Sequence, residues 1–211
     1  MKSRFPLALA IALSLLVGAT AAATPQADPG SALRMKGVKS SATSKPAELP
    51  SDSVYQLPLK LTDQHGNTFE WDTRRGKPQL VGMFYTSCRY ICPLIVDSGK
   101  TVDRSLTPEQ RARLGVLFIS MDAKRDNPAA LMSVARERKV DPRWTLATPK
   151  ADDVRSVAGV LDVQYRALAD GEFNHTSALV LLDPSGRIIA RTEKMGTQLD
   201  PEFLAAVRKV L

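Results

Sequence analysis

Eight residues carry the reactive chemistry of this 211-residue chain: Thr86-Ser87-Cys88-Arg89-Tyr90-Ile91-Cys92-Pro93. They include both of its cysteines, which stand at i and i+4. An apolar run, Gln79 to Tyr85, enters the stretch as a strand, and Pro93 suits the first turn of a helix, where its missing N–H is not needed. The pattern is strand, loop, helix start, with both sulfurs at the loop–helix junction. Residues four apart in a turn face the same way, at a Cα separation of roughly 6 Å that a disulfide tolerates. A sulfur at a helix N-terminus also feels partial positive charge, which favours thiolate.

Three chemistries follow from such a pair. It can be a thiol–disulfide redox couple. It can be two soft metal ligands, a state that excludes the disulfide. It can be a structural bridge, although a bridge closing so short a loop constrains the unfolded chain relatively little. A third ligand is available in His175, set between Phe173-Asn174 and Thr176-Ser177 just ahead of a strong strand. If the strand order places that loop beside the cysteines, a neutral imidazole completes a Cys-Cys-His set. Structural zinc wants four protein ligands. Copper accepts two thiolates as Cu(I), and thiolate with imidazole as Cu(II). The other histidine, His65, sits in turn chemistry, Asp63-Gln64-His65-Gly66-Asn67, and reads as solvated.

The N-terminus reads as an export signal spanning residues 1–23: Lys2 and Arg4, an apolar core from Ala8 to Val17, then Ala21-Ala22-Ala23 as a cleavage site. That apolar run is short for a membrane span, and an uncleaved anchor is the alternative. Removing the leader takes away Lys2 and Arg4 and so lowers the formal charge of +7 by two. The mild basicity, with signs interspersed and no basic–aromatic pattern, excludes a nucleic-acid partner. In an oxidising compartment an adjacent cysteine pair oxidises unless a reductant or a metal intervenes. Residues 24–50, rich in Ala, Ser, Pro and Lys, read as a flexible tether, leaving 51–211 as one domain.

The elements that position the cysteines are legible in order. Leu57, Leu59 and Leu61 alternate into a hairpin that returns from Thr68 to Trp71. A helix is expected from Pro93 to about Ser105 despite Gly99, and a short one after Thr107-Pro108. Gly115 to Met121 reads as a buried parallel strand. Asn127 and Pro128 open a helix with Leu131, Val134 and Ala135 on one face. Thr145 to Ala147 is a short strand, and Asp152 is expected to cap a helix carrying Val154, Val157, Ala158 and Leu161. Gln164 to Leu168 is strand-like and leads to the turn Asp170-Gly171. Ser177–Leu182 and Arg187–Arg191 form a hairpin, and Asp200-Pro201 opens a last helix with Phe203, Val207 and Val210. Strands alternating with helices, with a terminal hairpin, give an α/β fold: a thioredoxin-like mixed sheet flanked by helices, with an N-terminal hairpin.

Three motifs in register carry a resemblance over roughly residues 50–211: Tyr85-Thr86-Ser87-Cys88-x-x-x-Cys92-Pro93, Ser120-Met121-Asp122-x-x-x-Asp126-x-Pro128, and His175-Thr176 ahead of Leu182-Asp183-Pro184-x-Gly186. In these the chain resembles the Sco/SenC family. The resemblance implies a thioredoxin-like copper-binding domain, exported to the periplasm and often membrane-tethered, with Cys88, Cys92 and His175 as ligands. It implies work on a copper-site apoprotein such as a cytochrome oxidase subunit, with a copper donor upstream, or a part in copper homeostasis. The family often has Pro-Asp-x between the cysteines; Arg89-Tyr90-Ile91 here adds a cation and removes a carboxylate, which favours thiolate and alters the docking face.

Beside an exported interaction domain whose cysteine bridge is only structural, two active function classes remain. One is a metallochaperone for Cu(I) or Cu(II). The other is an oxidoreductase in which Cys88 attacks and Cys92 resolves, keeping a client's cysteines reduced. Asp122 and Asp126 read as a turn beside the Asn127 cap, or as a polar rim of the site. Met83 and Met121 read as core.

Overall fold

A computed structural model describes residues 48–198 and 200–211. The expected leader, 1–23, and the tether up to residue 47 lie outside the described residues. Among those described, no helix is long and apolar enough to cross a membrane.

The fold is organised on two adjacent parallel strands, β3 (Gln79–Phe84) and β4 (Gly115–Ser120), in which every residue is buried. Continuous apolar runs of this kind belong in the middle of a sheet covered on both faces. Around them the described residues form a mixed seven-stranded sheet. β5 (Thr145–Thr148) lies parallel to β4, and β1 (Lys60–Asp63) runs antiparallel beyond it. β2 (Thr68–Glu70) completes the N-terminal hairpin at one edge. On the other flank β8 (Leu179–Leu182) pairs antiparallel with β3, and β9 (Ile188–Thr192) closes the sheet. Two further strands, β6 (Tyr165–Ala167) and β7 (Phe173–His175), pair only with each other and form a separate arm.

The helices are α1 (Ile91–Arg104), α2 (Pro108–Arg113), α3 (Pro128–Glu137), α4 (Val154–Val160) and α5 (Pro201–Val210). Their starts follow local chemistry. Thr107 and Gln110 make a reciprocal capping box on α2, the Asn127 side chain accepts the Ala130 N–H on α3, and Asp200 accepts the Glu202 N–H on α5. Asp152 does not cap α4. It lies in a 3₁₀ turn, Ala151–Asp153, that leads into the helix, and Asp153 takes the capping position without a side-chain bond. The tighter turn takes over the helix entry that a capping carboxylate would have held.

Gly99 is tolerated within α1 for a packing reason. A Cβ there would lie 2.9 Å from Cζ of Phe118 and 3.1 Å from Cη2 of Trp144. Those two rings are stacked at 5.4 Å between centroids and are fully buried, so neither can yield. The bare backbone of α1 therefore rests directly on the aromatic pair, and this contact sets how closely the cysteine-bearing helix approaches the sheet. Gly99→Val should destabilise the protein by about 1–3 kcal/mol through overpacking, which outweighs a few tenths gained in helix propensity. Urea unfolding monitored by tryptophan fluorescence checks this, with an unchanged midpoint as the contrary result.

Candidate redox and metal site

The chain leaves β3 at Phe84 and turns through 85–90 before α1 begins at Ile91. Tyr90 holds the capping position of α1 but offers no side-chain hydrogen bond. The Cys88 sulfur fills that role instead: the Cys92 N–H donates to Cys88 Sγ at 3.4 Å. A sulfur at the N-terminus of a 14-residue helix thus accepts one of its unpaired N–H groups and sits in the positive end of its dipole. One turn further in, Cys92 Sγ accepts the Tyr85 N–H at 3.4 Å. Both residues are free cysteines, Cys88 9% exposed and Cys92 3%.

Asp126 fixes the loop from below. Its carboxylate is 3% exposed and accepts from the Thr86 N–H at 2.9 Å, the Thr86 hydroxyl at 2.5 Å and the Ser120 hydroxyl at 2.6 Å. One side chain therefore joins the end of β4, the turn ahead of α3 and the residue two before Cys88. Asp122 is also buried and pairs with Arg125. The two carboxylates form the expected turn beside Asn127, and Asp126 is in addition the anchor of the cysteine loop. Met83 and Met121 are 1% and 2% exposed and belong to the core.

His175 reaches the site from the arm. It closes strand β7 rather than lying in a loop, a difference from the sequence reading with a simple cause: three-residue strands are too short to show alternation. Its Nδ1–H donates to the Thr176 carbonyl at 3.0 Å, so Nε2 carries the lone pair, and Nε2 lies 3.8 Å from Cys92 Sγ. Hydrogen bonding at one ring nitrogen is how proteins fix the tautomer and aim the other. Tyr85 backs this arrangement. Its hydroxyl donates to Glu172 at 2.8 Å and accepts the Phe173 N–H at 3.4 Å, and its ring meets those of Phe173 and His175 edge-on at 5.1 and 5.8 Å.

The surroundings separate the two thiols. Burial opposes ionisation of Cys88, but hydrogen bonds led by the N–H groups of Cys92 and Tyr90 outweigh it, and the thiol titrates below its ordinary value. Burial pushes the Cys92 thiol well up, and the Cys88 charge beside it adds to the effect. Burial also lowers the imidazole of His175. The resting pattern is thus a thiolate-prone Cys88, a protonated Cys92 and a neutral His175.

Cys92 is the junction of the three predicted residues, in contact with Cys88 through its N–H and with His175 through its sulfur. As placed, no three His, Cys, Asp or Glu side chains among the described residues stand close enough to hold a metal ion. The cysteines and the imidazole open onto different clefts. One, of about 510 Å³, is lined by Cys88, Arg89, Cys92, Pro93, Val134 and Arg138, and the other, of about 520 Å³, by Tyr165, Asn174, His175 and Ser177. His65 is exposed in its turn, where Asp63 accepts its backbone N–H. Tyr85 and Glu172 were missed as site residues: each reads as ordinary in sequence, and only the fold joins them across 87 positions.

A mixed seven-stranded sheet, a dithiol at the start of the helix that follows β3 and a histidine arriving from a separate two-stranded arm define a thioredoxin-like protein with a dithiol beside an imidazole. The sequence model of the SCO1/SenC family matches residues 48–211, and the chain belongs to that family. It is 28% identical over 136 residues to a SCO2-like protein of Rickettsia prowazekii, covering 62% of this chain and 65% of the relative. It is 28% identical over 138 residues to the mitochondrial protein SCO2 of Saccharomyces cerevisiae, covering 63% of this chain and 45% of the relative. The chain thus spans less than two thirds of the length of either of these curated relatives. The structure of Bradyrhizobium japonicum ScoI with copper bound superposes with a TM-score of 0.63 at 26% identity, covering 74% of this chain and 98% of that one.

Two outcomes follow from this geometry. In the reduced, metal-free protein a limiting amount of iodoacetamide should alkylate Cys88 well before Cys92, because Cys88 is the more exposed and ionises at lower pH. Peptide mapping reads the ratio, and equal labelling contradicts it. Asp126→Ala should lower the unfolding free energy by about 2 kcal/mol or more, since hydrogen bonds to a charged group are worth roughly 1.5–3 kcal/mol each and the half-buried Thr86 and fully buried Ser120 donors lose their partner.

Proposed function

We propose that the protein is an exported copper chaperone that takes one copper ion as cargo through Cys88, Cys92 and His175. The observation that carries this reading is the junction at Cys92, whose sulfur lies 3.8 Å from the free lone pair of His175 while its N–H contacts the Cys88 sulfur. Two thiolates suit Cu(I), and thiolate with imidazole suits Cu(II). Membership of the SCO1/SenC family and the likeness to a ScoI structure with copper bound support the choice of metal.

Loading needs the Cys92 proton to leave, since the metal ligand is a thiolate. His175 Nε2 is the base within reach, and it must pass that proton on to solvent before its lone pair can bind the ion, since only a neutral imidazole is a ligand. Release proceeds by ligand exchange: thiolates of the recipient enter from the open cleft beside Cys88 and displace the ligands in turn. Arg89 and Pro93 line that cleft, and the residues next to them in the chain, Tyr90 and Leu94, are 86% and 44% exposed. Exposed aromatic, aliphatic and cationic side chains within six positions of sequence suit a protein surface as the recipient. The recipient on this reading is a copper-site apoprotein such as a cytochrome oxidase subunit, loaded in the periplasm after a donor has supplied the ion. The leader of residues 1–23 would direct export or remain as an anchor, with residues 24–50 as tether.

The unequal thiols favour one alternative specifically. As an oxidoreductase, Cys88 thiolate attacks a client disulfide and forms a mixed disulfide, expelling one client thiolate. Cys92, giving its proton to His175, then attacks the Cys88 sulfur and expels the second. The client gains two electrons and this chain is left with a Cys88–Cys92 disulfide. The same oxidation removes both sulfurs as ligands, so chaperone and reductase states exclude each other.

Anaerobic titration of the reduced protein with Cu(I) should give about one ion per chain, abolished in the Cys88→Ser/Cys92→Ser double variant. His175→Ala should weaken Cu(II) binding by at least about tenfold and alter its charge-transfer bands, while the Cu(I) stoichiometry holds and dithiol exchange persists at a lower rate for want of its base. A stoichiometry near zero, or one indifferent to loss of both cysteines, ends the copper reading. Retained copper binding without any dithiol exchange ends the alternative.

A further inference from the structure

The β6–β7 arm brings His175 to the cysteines, yet it takes no part in the main sheet. Each of its strands is three residues long, and an isolated hairpin of that size is marginal in water. Its conformation depends on what pins it to the body. At its base the Thr176 N–H donates to the Gln164 carbonyl at 2.8 Å, which closes the arm on itself. Tyr165 and Phe173 pack against the core, and besides the Cys92 sulfur beside His175, two side chains among the described residues bond or stack to the arm from outside. Tyr85, from the cysteine loop, meets it at Glu172 and Phe173. Arg125, from the loop between β4 and α3, meets it at the turn.

Arg125 makes three contacts of different kinds. Its Nη2 donates to the Gly171 carbonyl at 2.5 Å, at the tip of the arm. Its guanidinium carbon lies 5.9 Å from the Phe173 ring centroid, a cation–π distance two residues before His175. Its Nε pairs with Asp122, whose carboxylate is buried at 5% exposure and cannot follow the arm if it swings. The tip turn calls for glycine through its backbone, with Gly171 at φ +84°, and Arg125 Nη1 lies within ordinary contact distance of where its Cβ would be, 3.4 Å. A planar fork can hold carboxylate, carbonyl and ring face together, whereas an ammonium cannot.

We propose that Arg125 is a positioning residue that clasps the tip of the β6–β7 arm to the body and thereby sets how far His175 stands from Cys92. Asp122 is the fixed end of the clasp and Gly171 the moving end. When the clasp opens, the arm pivots on its base and withdraws the imidazole, leaving Cys92 in place on α1 and Cys88 in the loop ahead of it. The clasp thus acts on imidazole-dependent binding and spares the dithiol. In its effect on the metal this proposal rests on His175 being the third ligand, as read above.

The test uses the full chain, reduced and metal-free, then loaded with Cu(II) or Cu(I). In Arg125→Ala, backbone amides of residues 165–176 should exchange with solvent about tenfold faster, with those of α1, β3 and β4 unchanged. Cu(II) affinity should fall by about tenfold, the low end for outer-shell partners of a ligand, with a shifted charge-transfer spectrum, and Cu(I) affinity should hold. Arg125→Lys should fall between Arg125→Ala and wild type in both readouts. Unaltered exchange of the arm in Arg125→Ala overturns the proposal, as does a loosened arm that keeps wild-type Cu(II) affinity and spectrum. His175→Ala run alongside separates the two failures. Normal Cu(II) binding there removes the third-ligand reading and, with it, the effect assigned to Arg125 on the metal, while the exchange data still decide the clasp. Lost binding there with wild-type behaviour of Arg125→Ala removes the clasp alone.

Discussion

The buried carboxylate of Asp126 is the constraint from which the site follows. It accepts from Thr86 twice and from Ser120 once, and so ties the chain leaving β3 to the end of β4. Without that tie nothing local would dictate where residues 86–90 run, since Tyr90 supplies no cap to α1. With it, Cys88 is carried over the N-terminus of the helix and its sulfur becomes the cap. The hydrogen bonds that shape the loop and the field that ionises the thiol are therefore one arrangement. Charge-assisted hydrogen bonds in a water-poor setting are strong enough to hold such a loop without help from sheet pairing.

The same helix start makes the two sulfurs unlike. Cys88 lies ahead of the helix, where N–H groups converge, and Cys92 lies one turn inside, against Tyr85 and the core. Four positions of sequence separate a thiolate-prone sulfur from one held protonated by burial. An equal pair would serve only as a bridge. An unequal pair has an attacking and a resolving member, or a first and a second ligand, and the imidazole beside the second can take the proton that either role requires.

Much of this was legible in the sequence, and the reason is periodicity. β3, β4 and β8 are continuous apolar runs, the helices carry apolar faces behind Thr, Asn and Asp caps, and the i, i+4 cysteines before a proline mark their own junction. The arm is half legible: Gln164–Leu168 reads as a strand leading into the Asp170-Gly171 turn, as β6 and its turn prove to be. The returning strand, Phe173–His175, is too short and too mixed to show, so His175 is expected in a loop, next to the right elements but on the wrong support. Asp126 read as half of a turn, because its partners lie 6 and 40 positions away and no local pattern records them. Gly99 read as a weakness in α1, and its use appears only when the stacked Phe118 and Trp144 are seen beneath it.

These parts divide the site into a rigid half and an adjustable half. The cysteines stand on α1, which Gly99 seats directly on fully buried aromatic rings, and on a loop pinned by a buried carboxylate. The histidine stands on a two-stranded arm that shares no ladder with the main sheet. Rigid packing suits groups whose spacing must survive a change of oxidation state, because a disulfide accepts only a narrow geometry. A loosely attached third group suits an ion that must be held and then surrendered, because an arm that can move off lowers the barrier to ligand exchange without disturbing the pair beneath it. A cage with all three residues on the main sheet would bind more tightly and release more slowly. The separation of the imidazole from the sheet is therefore what the proposed delivery of a metal would require, and it leaves the reductase alternative both its sulfurs on the rigid half, with the arm supplying only the base for the Cys92 proton.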